Sequence, residues 1–313
     1  MKVIFMGTPD FSVGTLKALY EAGHEIALVV TQPDKAKGRG KKMQPTPVKE
    51  MALELGLEVY QPRRVREEES IAYLKSFEPD MIVVVAFGQI LPKEILEMPK
   101  YCCVNVHASL LPKYRGAAPI QWAVINGEKV SGVTTMRMDE GLDTGDMIMT
   151  QEVTLADNET GGSLFDRLAG VGADLCVRTL EAIEQGTAVF TPQNHDEATI
   201  THMIKKKDGR IDFSKSAVEI ERLIRGMNPW PSAYTYLHNK MLKIWTATVT
   251  QGDDTKAPGE IIRVGSDGIE VQTTSGGLLL WDIQLEGKKA MAADAFLRGY
   301  QLEAGTILGK DEE

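Results

Sequence analysis

The sequence predicts an α/β domain built on a mostly parallel sheet, followed by a small β-barrel domain. Three observations carry that prediction. The chain has 313 residues, too many for one ordinary core and a suitable length for two. Through its first half, short apolar runs alternate with segments patterned as helices, which is how parallel strands and their crossover helices read. Past residue 204 the pattern changes to short runs punctuated by Gly and Asp turns, the signature of antiparallel strands.

Taken in order, 3–6 predicts a strand, 8–22 a turn and helix, and 26–31 a second strand, so the chain opens on a β-α-β unit. Helices are predicted over 47–55 and 70–77, the latter leading to a buried strand at 81–86. Strands at 102–107 and 132–138 extend the sheet, and 147–153 reads as its antiparallel end. Residues 162–185 carry Leu164, Leu168, Val171, Leu175 and Leu180 at helical spacing, a long helix closing a Rossmann-like domain over 1–188. The polar, turn-rich stretch 189–204, with Pro192, Asn194, His195 and Asp196, reads as a linker. A second domain over 205–313 has one helix at 217–226 and strands at 234–237, 243–250, 259–264, 268–273 and 277–283, an oligonucleotide-binding (OB)-like barrel.

A hydrophobic fraction of 43% and a charged fraction of 25% exclude a disordered or fibrous chain. No apolar run reaches membrane-spanning length and no signal-peptide pattern follows Met1, so a cytoplasmic location and no membrane partner are expected. Cys102, Cys103 and Cys176 form neither a disulfide framework nor a zinc spacing, and the adjacent pair reads as buried filler. The net charge of −9 hides two basic stretches. Five basic residues and no acidic one lie between Lys35 and Lys42, and Lys205, Lys206, Lys207 and Arg210 open a second run that continues through Lys215, Arg222 and Arg225. Trp230, Tyr234 and Trp245 could stack on bases, although packing is the commoner use of tryptophan in a small barrel.

Chemistry concentrates in Asn105-Val106-His107-Ala108-Ser109-Leu110-Leu111-Pro112-Lys113-Tyr114-Arg115-Gly116 and in Leu142-Asp143-Thr144-Gly145. Asn105 and His107 are two apart in a strand and leave the same face. Gly7 and Gly14 are too far apart for a dinucleotide fingerprint, so NAD is not expected. Ser109 lacks a nucleophile elbow, and His107 with Asp139, Asp143 and Asp146 lacks a second histidine at ligand spacing, so neither a serine nucleophile nor a metal is expected. What remains is acyl or formyl transfer by direct attack of an amine on a carbonyl. That reaction needs an oxyanion donor, a group to manage a proton, and a carboxylate to hold that group, and Asn105, His107 and Asp143 supply one of each.

The string Asn-x-His-x-Ser-Leu-Leu-Pro-x-x-Arg-Gly, with Ala117-Ala118-Pro119-Ile120, Gly132-Val133-Thr134 and Leu142-Asp143-Thr144-Gly145, resembles the tetrahydrofolate-dependent formyltransferase family. The likeness extends to Gly7-Thr8-Pro9-Asp10-Phe11, to Thr31-Gln32-Pro33-Asp34 with Gly38-Arg39-Gly40-Lys41-Lys42, and to Asn228-Pro229-Trp230-Pro231, which resemble the branch acting on methionyl-tRNA. The resemblance implies Asn105, His107 and Asp143 as the catalytic trio. It implies 10-formyltetrahydrofolate as donor, held by Ser109, Leu110, Leu111 and Pro112 and by the loop of Phe87, Gly88, Gln89, Ile90 and Leu91. It implies methionyl-initiator tRNA as acceptor, contacted by Arg39, Lys41, Lys42, Lys205, Lys206, Lys207 and Arg210. No obligate protein partner is implied. A small-molecule formyltransferase, a formyl-folate hydrolase and a nucleic-acid-binding module with an idle α/β scaffold stay open as rivals.

Overall fold

The computed structural model describes residues 1–37 and 42–309. It divides into two compact units, one of residues 1–119, 130–154 and 165–201, the other of 120–129, 155–164 and the chain from 202 on.

Among the described residues, the sheet of the first unit runs in the order Met147–Thr154, Val130–Arg137, Cys102–His107, Met81–Val85, Lys2–Gly7, Glu25–Val30, Val59–Tyr60. The strands from Cys102–His107 to Val59–Tyr60 pair parallel, and the two at the other end pair antiparallel. Every residue of Met81–Val85 and Cys102–His107 is buried, as continuous apolar runs covered on both faces require. Leu74 and Ile95 pack with Ile4, Met6, Ile82 and Val84 in one core cluster. Gly172 of the helix Gly161–Glu184 lies against Val106 and Val133, so the helix crosses the sheet directly behind the Asn105 and His107 strand. Lys2–Gly7 has neighbours on both sides, which makes the carboxyl ends of Lys2–Gly7 and Met81–Val85 the switch point where such sheets open a crevice.

Three local features escape the sequence patterns. Lys35–Lys37 and Lys42–Gln44 pair as an antiparallel hairpin, Pro119–Ile125 is a short helix, and Arg115–Gly116 pairs parallel with Ile200–Thr201. The last pairing draws the 193–201 stretch alongside 112–117 over a separation that periodicity does not reveal.

In the second unit the antiparallel order is Ala233–Leu237, Lys240–Thr250, Gly277–Leu285, Gly268–Gln272, Ile261–Gly265, with Met291–Ala292 added to Gly277–Leu285. The stretch 305–309 bridges the two edges of this sheet. Leu308 N–H donates to Gly259 O and Ile261 N–H to Thr306 O, both at 2.8 Å, while Gly309 N–H donates to Tyr236 O at 2.9 Å. Strand Ala233–Leu237 alternates buried and half-buried residues, and its inward side chains join Ile220 and Ile224 of the helix Ala217–Gly226 in one core. That helix starts on a capping box between Ser216 and Glu219.

Two residues of the second basic run are structurally committed. Arg225 forms a close ion pair with Glu221 and donates to Glu159 O at 2.8 Å, and the Arg222 guanidinium lies over Gly127. Of the tryptophans expected to pack, Trp245 is half-buried but Trp230 is 55% exposed.

Candidate active site

Strand Cys102–His107 puts Asn105 and His107 on one face, both buried. The loop beyond Val130–Arg137 brings Asp143 to them. Its Oδ1 is 3.4 Å from Asn105 Nδ2, which donates to it, and its Oδ2 is 3.7 Å from His107 Nδ1. Gly116 N–H donates to the same Oδ2 at 2.8 Å. His107 Nε2 lies 2.9 Å from the carbonyl oxygen of Tyr114. A carbonyl only accepts, so Nε2 is the donor in this contact, while Nδ1 faces the Asp143 carboxylate.

The loop is shaped in part by its other aspartates. Asp139 accepts from Gly141 N–H at 3.0 Å and from Thr144 Oγ1 at 2.7 Å, and Asp146 forms a close pair with Arg137. Gly145 has no room for a side chain, since a Cβ there would sit 1.7 Å from Arg137 O. Gly116 has φ of +93° and would put a Cβ 2.6 Å from Thr201 O, so glycine alone lets this strand touch its partner.

The turn after the strand is braced by Thr134, whose hydroxyl donates to Ser109 O at 2.7 Å and accepts from Leu111 N–H at 3.1 Å. Ser109 Oγ donates to Lys113 O at 2.7 Å, which commits this hydroxyl to the turn. Leu111 is buried, Leu110 and Pro112 are half-buried, and Leu110 lies against Gly132. In the loop after Met81–Val85, Phe87 is buried and its carbonyl accepts from Thr8 Oγ1 at 2.9 Å and Gln32 Nε2 at 3.2 Å. Gly88 is left-handed, Gln89 bonds to Val65 N–H and Pro62 O, and Leu91 is buried. Ile90, 86% exposed, is the member of this group whose side chain stands out.

Of the basic residues, Arg39 and Lys41 lie outside the described residues, and Lys42 begins the second strand of the hairpin. The hairpin springs from Asp34, whose carboxylate is held below its ordinary range first by Gln61 and then by Lys49, 2.7 Å away. Lys205, Lys206, Lys207 and Arg210 are exposed around the short turn Lys206–Gly209, and Arg210 lies over the Tyr236 ring. The cysteines are buried and inert, burial pushing Cys102 up to about 11, Cys176 up to about 12 and Cys103 well above its ordinary value. Among the described residues no three His, Cys, Asp or Glu side chains group as a metal site, and no helix is long and apolar enough to cross a membrane.

The sequence patterns gave no sign of Gln193 or Thr199. Gln193 is buried and donates to the carbonyls of Asp143 and Gly145, at 2.8 and 2.7 Å, while Thr199 Oγ1 accepts from Tyr114 N–H at 2.8 Å. Both lie in a stretch whose polar composition resembles any loop, and only the fold brings them to the motif.

A family model described as formyl transferase matches residues 1–180, and one described as formyl transferase, C-terminal domain, matches 203–301. The methionyl-tRNA formyltransferase of Agathobacter rectalis is 64% identical over 98% of this chain and 99% of its own, and that of Lachnospira eligens 56% identical over 99% and 100%. Among solved structures, an N-formyltransferase from Helicobacter canadensis in complex with folinic acid and dTDP-3-aminofucose superimposes with a TM-score of 0.66 at 19% identity, covering 90% of this chain and 98% of that one. The methionyl-tRNA formyltransferase from Clostridium thermocellum does so with a TM-score of 0.55 at 19% identity, covering 81% and 95%. At those identities the structures speak for the fold, whereas the full-length relatives and the two matched models speak for descent: the chain belongs to the formyl transferase family.

Proposed function

We propose that this chain transfers the formyl group of 10-formyltetrahydrofolate to the α-amine of methionyl-initiator tRNA, in the cytoplasm, as the step that prepares that tRNA for translation initiation. The observation that carries the reading is the convergence of Asn105 and His107 on the Asp143 carboxylate, in a chain 64% identical along its length to a methionyl-tRNA formyltransferase.

The α-amine nitrogen attacks the formyl carbon directly. Asn105 Nδ2 donates to the oxygen as negative charge develops on it, an interaction made mainly in the transition state. As the new C–N bond forms the amine loses a proton, which His107 Nδ1 receives, and Asp143 stabilises the resulting imidazolium. The imidazolium returns that proton to N10 as the bond from the formyl carbon to N10 breaks, so the folate leaves as the N10 amine and the ring is neutral again. The switch point, where such sheets open a crevice, supports a folate site between the 86–91 loop, with Ile90 exposed for contact, and the Ser109 to Pro112 turn. The paired strands Lys35–Lys37 and Lys42–Gln44 and, separately, the exposed Lys205, Lys206, Lys207 and Arg210 support phosphate contacts by tRNA. Free buried thiols fit a reducing compartment.

The test supplies labelled 10-formyltetrahydrofolate with charged initiator tRNA and, in parallel, with glycinamide ribonucleotide. Label in methionyl-tRNA is expected. Label in the small amine, or release of free formate from the folate alone, would replace this reading with one of its rivals.

A further inference from the structure

Asp143 sits in the left-handed region, φ +52°, a conformation that a non-glycine residue holds only when its surroundings fix it. Those surroundings centre on one buried side chain. Gln193, 5% exposed, donates both amide hydrogens through Nε2, to Asp143 O at 2.8 Å and Gly145 O at 2.7 Å. Its Oε1 accepts from Arg115 Nε at 3.0 Å and from the neighbouring guanidinium nitrogen at 2.8 Å. Arginine has no acceptor, so the amide can face only one way, oxygen toward Arg115 and nitrogen toward the loop. Arg115 is itself buried, donates further to His195 Nδ1 at 3.2 Å, and is fixed by the pairing of Arg115–Gly116 with Ile200–Thr201. The next residue, Gly116, contributes the N–H that holds the Asp143 carboxylate.

We propose that Gln193, oriented by Arg115, is a positioning residue that clamps the backbone of the 143–145 turn and so aims the Asp143 carboxylate at His107 and Asn105. The proposal rests on the reading of Asp143 as part of a formyl-transfer site. Gln193 touches no reacting atom and acts through Asp143, and its loss leaves two carbonyls of a strained turn unpaired.

The experiment first measures formyl transfer by the unaltered chain, since inactivity there would defeat the functional reading and not the clamp. Two variants follow. Gln193→Leu removes the amide at nearly constant volume, and Gln193→Glu keeps an acceptor for Arg115 while removing both donors. With a cooperative thermal melt retained, each is expected to lower kcat roughly 10- to 100-fold while KM for either substrate moves less than about threefold, the cost of slightly misplacing a reacting group. In an Asp143→Asn background the same substitutions are expected to cost less than about threefold more, because both changes act on one group. A folded Gln193 variant with kcat within about threefold of the unaltered chain would overturn the clamp, as would a loss equally large in both backgrounds.

Discussion

Asn105 and His107 are placed by a strand, Asp143 by a loop, and the two are held by different forces. The strand is buried on both faces and paired on both sides, so its side-chain directions follow from the sheet register. The loop is folded on its own Asp139 and is tied in place by bonds from elsewhere: Gly116 N–H to the Asp143 carboxylate, and the Gln193 amide to two of its carbonyls. Half of the candidate site is therefore rigid by construction, and half depends on a few long-range hydrogen bonds. Substitutions on the strand side should remove chemistry without moving structure, and substitutions on the loop side should move structure and lose chemistry as a result.

The largest effect is expected on the strand. His107→Ala should lower kcat on the order of 100- to 10,000-fold and Asn105→Ala on the order of 100- to 1,000-fold, with the melting transition retained. Single-turnover formylation with folate saturating checks this, and near-normal turnover by either variant would break the strand half of the comparison. Gly145→Ala comes next. The added methyl collides with the Arg137 carbonyl, so the loop must shift, and kcat should fall about 10-fold or more together with a stability loss of about 1–3 kcal/mol in urea unfolding. Loss of activity with no change in stability would mean that the loop is softer than its contacts imply. The smallest effect is expected for Thr134→Val, which leaves the Ser109 carbonyl and Leu111 N–H unpaired at the turn. It should cost about 1–3 kcal/mol of stability and raise the folate KM a few-fold while sparing kcat. A fall in kcat instead would tie the turn to the chemistry.

The same contrast explains what could be read from the sequence. The β-α-β opening and the antiparallel end at 147–153 were legible because apolar patterning is local, and the runs at 81–85 and 102–107 because burial on both faces leaves a continuous signal. The i, i+2 spacing likewise put Asn105 and His107 on one face. Asp143 was legible as the carboxylate that the chemistry needs and as part of the Leu142-Asp143-Thr144-Gly145 string, but its left-handed backbone was not. Gln193 and Thr199 were illegible for a stronger reason: a glutamine between Pro192 and Asn194 looks like solvent-facing loop until a strand separated from it by 78 residues supplies Arg115. In the second domain, Arg222 and Arg225 read as surface charge, yet the fold turns one onto Gly127 and the other onto Glu221. Composition counts charges but does not say which have already found a partner.

The pairing of the 193–201 stretch with residues 112–117 has a consequence for the order in which the enzyme is made. Gln193 emerges from the ribosome 50 positions after Asp143, and Thr199 emerges 85 positions after Tyr114. A nascent chain can therefore contain every strand of the first sheet and the whole trio before the residues that bond to the 143–145 turn and to Tyr114 have been made. The site is thus complete only when the chain has passed Thr199, well beyond the last strand of the sheet that carries Asn105 and His107.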